Sequence, residues 1–297
     1  MITRSIYIGN PAYLKLKDEQ MYIMEPSSNE MKGKVPVEDL GLLMLDHFQI
    51  TISHQLIQKM MGNNVVVVSC DSHHLPHGIM LPLYGHTEHS DRIKDQLEAS
   101  EPLKKQLWKQ TIECKIENQK EVLRRLGNYY EPMIDYQNNV KSGDITNMEG
   151  IAAQHYWKYL ISLDFLRQRF GDSPNQFFNF GYSVLRGIVA RAIVETGLLP
   201  VLGIFHKNKY NPYCLADDLM EPYRPFVDLL VMQWLEINRE TEELTKEFKA
   251  YILQIATRDV RVDDKTRPLL VAVKTTATSL YKCYTGEKRL ISYPELI

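Results

Sequence analysis

The chain has 297 residues, of which 44% are hydrophobic and 24% are charged, a balance typical of one large or two ordinary globular domains. The formal net charge at pH 7 is −2, so the overall charge does not indicate a nucleic-acid partner. The longest apolar run is too short to span a membrane, and the first residues show no signal-peptide pattern. Four separated cysteines without a CxxC pair argue against a disulfide framework. We therefore expect a cytoplasmic protein that does not enter a membrane.

Short strand-like segments dominate the first part of the chain. They are rich in β-branched and aromatic residues, and turn formers such as Gly9-Asn10-Pro11 and Gly62-Asn63-Asn64 separate them. One amphipathic helix is predicted among them, at about residues 51–61. The pattern predicts a small β-sandwich-like domain over residues 1–83. The polar, acidic residues 84–100 are predicted to be a linker.

Helical periodicity dominates the rest of the chain and predicts an all-α domain over residues 101–297, so the fold class is α+β. One segment, residues 176–196, is apolar on every side, which is typical of the central helix of a bundle. Gly181 and Gly187 in this segment favour close packing against a neighbour. The other predicted helices are residues 102–126, 150–170, 222–238 and 241–257.

Three places along the helical part carry candidate chemistry. Glu149 begins a predicted helix, although it also completes a capping box with Thr146. His206 follows an apolar run and is flanked by lysines, although such a histidine is often purely structural. The third place is the acidic cluster of Asp217, Asp218 and Glu221.

The acidic cluster suggests a metal site. Its members are spaced so that they share one face of a helical turn, and like charges in partly apolar surroundings require a cation. Together with His206 they form a mixed carboxylate and imidazole set, which favours Mg²⁺ or Mn²⁺. The alternative is a solvated helix face.

Several separated segments resemble one known family. The segment Leu215–Pro225 resembles the signature of the CRISPR-associated adaptation endonucleases, the Cas one family, and four other segments match in order. The stretch between His206 and Asp217 is similar to that of type two systems. The matching segments are Glu149–Ala153, Gly181–Leu185, His206–Asn208 and the end of the β domain.

The resemblance implies a metal-dependent DNA endonuclease and integrase that inserts prespacer DNA into the CRISPR array through 3′-hydroxyl attack on a phosphodiester. It implies that Glu149, His206 and Glu221 are the catalytic residues and the ligands of Mg²⁺ or Mn²⁺, supported by Asp218 and Asp217. Many relatives have an aspartate as the last ligand; here we expect Glu221 to be the direct ligand rather than Asp218.

The resemblance also implies partners. These are prespacer duplex and CRISPR repeat or leader DNA, a second copy bound through the β domain, and a small Cas two dimer in a heterohexamer. The effector nuclease of the same locus is a further candidate. Expected phosphate contacts are Lys207 and Lys209 beside His206, and Arg186 and Arg191 on the predicted central helix. Lys104 and Lys105 are expected to contact DNA as part of a basic run at residues 102–125, whose alternative role is helix-surface ion pairing. Two other functions stay open: a non-catalytic DNA-binding scaffold and a metal-dependent phosphohydrolase acting on small molecules.

Overall fold

The computed structural model describes residues 4–168, 171, 173–239 and 241–296. Its N-terminal part is built from strands and one helix, and its larger C-terminal part is mainly helical. The predicted α+β class is therefore confirmed. The strands are β1 (Arg4–Ile8), β2 (Ala12–Lys17), β3 (Gln20–Met24), β4 (Met31–Pro36), β5 (Leu40–Leu45), β6 (Ile50–Ile52), β7 (Val66–Cys70), β8 (Pro76–Met80), β9 (Asp259–Val262) and β10 (Lys265–Pro268). The helices are α1 (His54–Gly62), α2 (His89–Glu98), α3 (Glu101–Arg125), α4 (Pro132–Asn138), α5 (Met148–Leu160), α6 (Asn175–Glu195), α7 (Cys214–Met220), α8 (Arg224–Ile237), α9 (Lys246–Ile252) and α10 (Leu269–Tyr284).

The N-terminal part contains two four-stranded sheets. The first has the order β1-β5-β7-β8, in which β1, β5 and β7 run parallel and β8 is antiparallel. The second has the order β4-β3-β2-β6 and is antiparallel except for the pair of β2 and β6. Two sheets with an intervening core give the sandwich-like arrangement that the sequence predicts.

The first sheet contributes to two hydrophobic cores, because successive side chains of a strand point to opposite faces. Met44 and Val68 belong to the large core of the helical part, whereas Leu43 and Val67 belong to the core of the β domain with α1. A strand that is buried on both faces reads as a continuous apolar run. This explains the four consecutive valines that end at Val68.

Helix α6 lies at the centre of the helical part, as predicted. A Cβ atom added at Gly187 would lie 3.2 Å from the Val68 side chain, and one at Gly181 would lie 2.5 Å from that of Val227. The expectation that both glycines serve close packing is thus confirmed. Within the described residues, α6 is the one helix whose length and apolar composition would allow it to cross a membrane, but 78% of that stretch is buried inside the protein.

Three segments differ from the sequence predictions. Residues 84–100, predicted as a linker, contain α2, whose Gln96 is buried and bonds to the backbone of Leu199. The helix predicted over residues 150–170 ends at Leu160, and residues 169 and 170 lie outside the described part of the chain. The all-α prediction misses the hairpin of β9 and β10, because its turn is made by two aspartates with positive φ rather than by the glycine or asparagine that usually marks such turns.

Candidate functional site

The first candidate residue, Glu149, lies in the first turn of α5. The helix is capped by Asp144, whose carboxylate accepts hydrogen bonds from the backbone N–H of Met148 at 2.9 Å and of Glu149 at 3.0 Å. The Thr146 hydroxyl donates instead to the carbonyl of Asn139. The capping box is therefore not formed, and the Glu149 carboxylate is available for another contact.

That contact is with a buried lysine of α3. Lys115 Nζ lies 2.6 Å from Glu149 Oε1 and 2.6 Å from Glu221 Oε2, so one ammonium group joins the two predicted ligands. Glu221 begins the short 3₁₀ turn between α7 and α8, and its other oxygen accepts a contact from Arg224 at 2.9 Å. Two carboxylates from different helical elements thus converge on one point.

The charges of this group are strongly coupled. Burial raises the pKa of Glu221, but Arg224 and Lys115 outweigh it and hold the pKa below its usual range. For Lys115, burial lowers the pKa, and the nearby Glu221 and Glu149 outweigh that effect and raise it. The structure therefore favours the charged forms of Glu221 and Lys115.

His206 is held by Asp218. The His206 Nδ1 atom lies 2.5 Å from Asp218 Oδ1, and the other carboxylate oxygen accepts the backbone N–H of Phe205 at 2.9 Å. The imidazole also meets the Trp108 ring edge to face, with 5.6 Å between the ring centres. These contacts fix the ring and leave Nε2 as the nitrogen available to a ligand.

The charges of the two glutamates act on the His206 ring. The hydrogen bond to Asp218 raises the pKa of His206, burial opposes it, and the charges of Asp218, Glu221 and Glu149 raise it further. The structure therefore brings His206 into electrostatic reach of both Glu149 and Glu221.

The acidic cluster does not act as one unit. Asp218 turns toward His206, whereas Asp217 accepts hydrogen bonds from Arg186 at 2.6 Å and from Asn211 at 2.7 Å. Glu221 alone reaches Lys115. The interpretation that all three acids face one cation is therefore wrong, because each has its own partner.

The residue types of this site are ones that bind divalent cations. In the side-chain positions of the described residues, no group of three or more His, Cys, Asp and Glu is arranged to hold a metal ion. Lys115 Nζ is the partner of the buried Glu221 Oε2 at 2.6 Å, and Glu149 shares the same ammonium group. Two carboxylates and an imidazole nitrogen are suitable ligands for Mg²⁺ or Mn²⁺.

Comparison with known proteins assigns the family. A family model described as CRISPR associated protein Cas1 matches residues 6–262. The chain belongs to the Cas1 family. A CRISPR-associated endonuclease Cas1 from Neisseria meningitidis serogroup C (strain 8013) is 32% identical over 300 residues, covering 100% of this chain and 97% of that protein. The family suggested by the sequence resemblance is thereby confirmed.

Two solved structures share the fold. A casposase bound to an integration product has a TM-score of 0.81 at 21% identity, covering 98% of this chain and 93% of its own. A chain in a Cas6-RT-Cas1–Cas2 complex has a TM-score of 0.75 at 16% identity, covering 100% of this chain and 36% of its own. The Cas1 fold therefore extends over essentially the whole chain.

The basic residues predicted to contact phosphate differ in their surroundings in this Cas1-family chain. Arg191 is buried, donates to the carbonyl of Asn64 and pairs with Glu195 at 3.3 Å, so its assignment as a phosphate contact is withdrawn. The sequence predicted a central helix here, but not that Arg191 would be occupied by the backbone of Asn64 in the β domain. Of the others, Lys105, Lys207 and Lys209 are exposed and Lys104 and Arg186 are half-buried.

The basic run of α3 is largely paired. Lys120 contacts Glu117 at 2.6 Å, and Arg124 and Arg125 both contact Glu121 at 2.7 Å. The alternative that these charges form ion pairs on one helix therefore holds for the C-terminal half of the run. Lys104 and Lys105, at the other end, are the part of the run that remains a candidate DNA surface.

Sequence reasoning missed Lys115 as a member of the site. The signal that could have revealed it is its position on the apolar face of α3, three residues after buried Ile112 and seven after buried Trp108. A lysine on such a face requires an anionic partner. The sequence could not show which acids supply it.

Proposed function

We propose that this Cas1-family chain is a metal-dependent DNA endonuclease and integrase of CRISPR adaptation. The observation that carries the proposal is the convergence of Glu149 and Glu221 on one point, with a His206 ring whose Nδ1 is already engaged. This arrangement supports the proposal that ligand atoms from three separate parts of the chain would bind a catalytic divalent cation.

Each residue of the proposed site has a definable task. Glu149, His206 and Glu221 would hold Mg²⁺ or Mn²⁺, which, when bound, polarises a phosphodiester oxygen and stabilises charge on phosphorus. Asp218 accepts the Nδ1 proton of His206, so the ring keeps the tautomer whose Nε2 can donate a lone pair. Asp218 is thus a positioning residue, and Asp217 fixes Arg186.

The proposed nucleophile comes from the DNA. A prespacer 3′-hydroxyl would attack the phosphodiester at the repeat boundary, releasing the 3′-oxygen of the target strand; water in its place would give hydrolysis. Two similar proteins support this proposal. One is the CRISPR-associated endonuclease Cas1 of Neisseria, and the other is the casposase bound to an integration product. The DNA backbone would be contacted by the exposed or half-buried Lys104, Lys105, Arg186, Lys207 and Lys209.

The proposed partners follow the same family relationship. The fold occurs in a chain of a Cas6-RT-Cas1–Cas2 complex, which supports a Cas two (Cas2) dimer as partner.

We also propose a homodimer through the β domain, whose small core and open strand edges at β4 and β6 favour a second copy. The effector nuclease of the same locus and a cytoplasmic location complete the proposal. A monomer in sedimentation at micromolar concentration would contradict the homodimer.

Strand transfer tests the proposed reaction directly. The chain is incubated with a 3′-ended duplex and a DNA carrying a CRISPR repeat, with Mn²⁺ or with EDTA. We expect joined products only with Mn²⁺, and at least about 100-fold less product for Glu149→Gln, which removes a ligand charge. The matched control is Glu98→Gln, an exposed glutamate of α2 whose removal should leave the reaction unchanged.

The same assay separates the two other functions. DNA binding without products in Mn²⁺ would favour the non-catalytic scaffold. Absence of any activity on DNA, together with Mn²⁺-dependent release of phosphate from small phosphoesters, would favour the phosphohydrolase. Either result would contradict the proposal.

A further inference from the structure

The two carboxylates of the proposed metal site are neutralised by cations of the chain itself. Lys115 Nζ contacts one oxygen of Glu149 and one of Glu221 at 2.6 Å each, and Arg224 contacts the second oxygen of Glu221 at 2.9 Å. Lys115 is only 8% exposed. An ammonium group therefore stands between the carboxylates that a divalent cation would need.

We propose that Lys115 is an internal counter-ion that holds Glu149 and Glu221 together without metal and must release at least one of them when the metal binds. The inference rests on the proposed metal site and goes beyond it, since it assigns a role to a residue that is not a ligand. Lys115 is a positioning residue in this role.

The backbone around Lys115 is fixed, so the exchange has to occur in its side chain. Asn118, on the next turn of α3, donates from its side-chain amide to the carbonyls of Pro222 at 2.8 Å and of Pro294 at 2.9 Å. Pro222 directly follows Glu221, so α3 and the ligand segment are tied together by these bonds. The lysine side chain, with its four-carbon stem, is the part that can swing.

Electrostatics make the two cations competitors. An ammonium ion and a divalent ion within a few ångströms of each other repel strongly in a poorly hydrated site. A metal ion bound at about 2.0–2.1 Å to the carboxylate oxygens that Lys115 now contacts would bring the two cations this close, so the ammonium group moves away from at least one of them. The binding free energy of the metal is therefore reduced by the free energy needed to break the lysine contacts.

After displacement, the Lys115 ammonium group would remain beside the site, because its side chain is attached to α3. Phosphate oxygens are suitable partners for a lysine, which binds them as a point charge. Lys115 would thus lower the affinity for free metal and favour occupancy of the site when a DNA phosphate is present. Removing the lysine charge should have opposite effects on metal affinity and on turnover.

Mn²⁺ titration of the full chain, followed by calorimetry or by the EPR signal of free Mn²⁺, tests this role without relying on activity. We expect Lys115→Met to bind Mn²⁺ about tenfold or more tightly than the unmodified chain, and Lys115→Arg to show no such gain. Strand transfer by Lys115→Met at saturating Mn²⁺ should fall about tenfold or more. The control Lys109→Met removes a lysine of α3 that pairs at 3.5 Å with Glu113, and should leave Mn²⁺ affinity unchanged.

The outcomes separate the two proposals. Equal or weaker Mn²⁺ binding by a folded Lys115→Met, compared with the unmodified chain, would overturn the role of Lys115 and leave the metal site standing. No Mn²⁺ binding by the unmodified chain would contradict the proposed function itself. If Lys115→Met does not fold in metal-free buffer, Lys115→Gln, which keeps a hydrogen-bond donor without the charge, is titrated in its place under the same criteria.

Discussion

Two buried lysines of this protein meet carboxylates in different ways. Lys249 of α9 contacts Asp46, which follows β5, at 2.8 Å, and Asp46 also receives the Tyr7 hydroxyl at 2.6 Å and faces His74 Nδ1 at 2.7 Å. We call these four residues the junction cluster, because they join the β domain to the helical part. The site cluster consists of Lys115, Glu149 and Glu221.

The numbers of donors and acceptors distinguish the two clusters. In the junction cluster, one carboxylate has three partners, and Lys249 also donates to the carbonyl of His74 at 3.1 Å. In the site cluster, one lysine serves two carboxylates, and the Glu149 side chain is 26% exposed, whereas that of Asp46 is 1% exposed. A fully buried and satisfied network rigidifies a protein, whereas two carboxylates that share one ammonium group and reach the surface can take up a further cation. The comparison indicates a structural role for Lys249 and a functional role for Lys115.

The largest effect on stability is expected in the junction cluster. Lys249→Met leaves the carboxylate of Asp46 buried without its cation, which should lower the free energy of unfolding by about 3–5 kcal/mol. Urea denaturation measures the loss. Lys246→Met, which removes an exposed lysine of the same helix that contacts Asn10, should cost less than about 1 kcal/mol. Similar losses for both variants would contradict a structural role for the ion pair of Lys249 and Asp46.

A third buried carboxylate, Asp228 of α8, differs from those of both clusters because each of its oxygens accepts from a tyrosine hydroxyl group. Tyr182 donates at 2.6 Å and Tyr156 at 3.0 Å. Burial raises the pKa of Asp228 to about 6, although the two hydroxyls oppose the shift. Between pH 4 and pH 6 the folded chain therefore binds more protons at this residue than the unfolded chain.

The contribution of Asp228 to the free energy of unfolding therefore falls as pH rises from 4 to 6. Above pH 6 this contribution does not change further. We expect the unfolding free energy of Asp228→Asn, relative to that of the unmodified chain, to rise by about 1–3 kcal/mol between pH 4 and pH 6. Denaturant titrations at several pH values measure it. A difference that does not depend on pH would contradict the raised pKa.

A smaller effect on stability is expected in the site cluster. Glu149→Gln leaves Lys115 paired with Glu221, so the free energy of unfolding in metal-free buffer should stay within about 1 kcal/mol of the original value. Thermal and urea unfolding without metal provide the measurement. A loss as large as that of Lys249→Met would mean that the site cluster is structural as well.

The smallest effect is expected when Asp218, the partner of His206, is replaced, and it concerns the pH dependence of Mn²⁺ binding. The hydrogen bond to Asp218 raises the pKa of His206, and a protonated imidazole has no lone pair for a metal. Mn²⁺ binding should therefore weaken as pH falls through that raised pKa. In Asp218→Asn, the weakening should begin at lower pH, because the hydrogen bond that raises the pKa of His206 is lost. Mn²⁺ titrations between pH 5 and pH 8 test the shift, and identical profiles would contradict it.

Much of this architecture could be predicted from residue patterns. Period-3.6 apolar faces located α3, α6 and α8 to within a few residues, and the apolar composition of α6 indicated its central place. The patterns failed at α2, a mostly polar helix that is held by a few hydrogen bonds, such as those of Gln96 to Leu199 and Leu202. Such bonds depend on residues about a hundred positions away, and local periodicity does not contain them.

The candidate site could be predicted in its residue types but not in its pairing. The sequence singled out Glu149, His206 and Glu221, yet it could not show that Asp218 turns to the imidazole or that Lys115 lies between the glutamates. It also assigned Arg191 to phosphate, whereas Arg191 is buried and bonds to Asn64 and Glu195. These outcomes are decided by which elements pack together, and a single sequence without its fold does not specify them.

The two-faced first sheet has a consequence for synthesis of the chain. Leu43 and Val67 can be covered by α1 and by nearby strands soon after they are made, but Met44 and Val68 face a core that includes α6. At translation rates of ~5–20 residues/s, α6 follows Val68 after roughly ten seconds. During that interval a nascent chain exposes an apolar sheet face, which is a natural binding site for a chaperone at the ribosome.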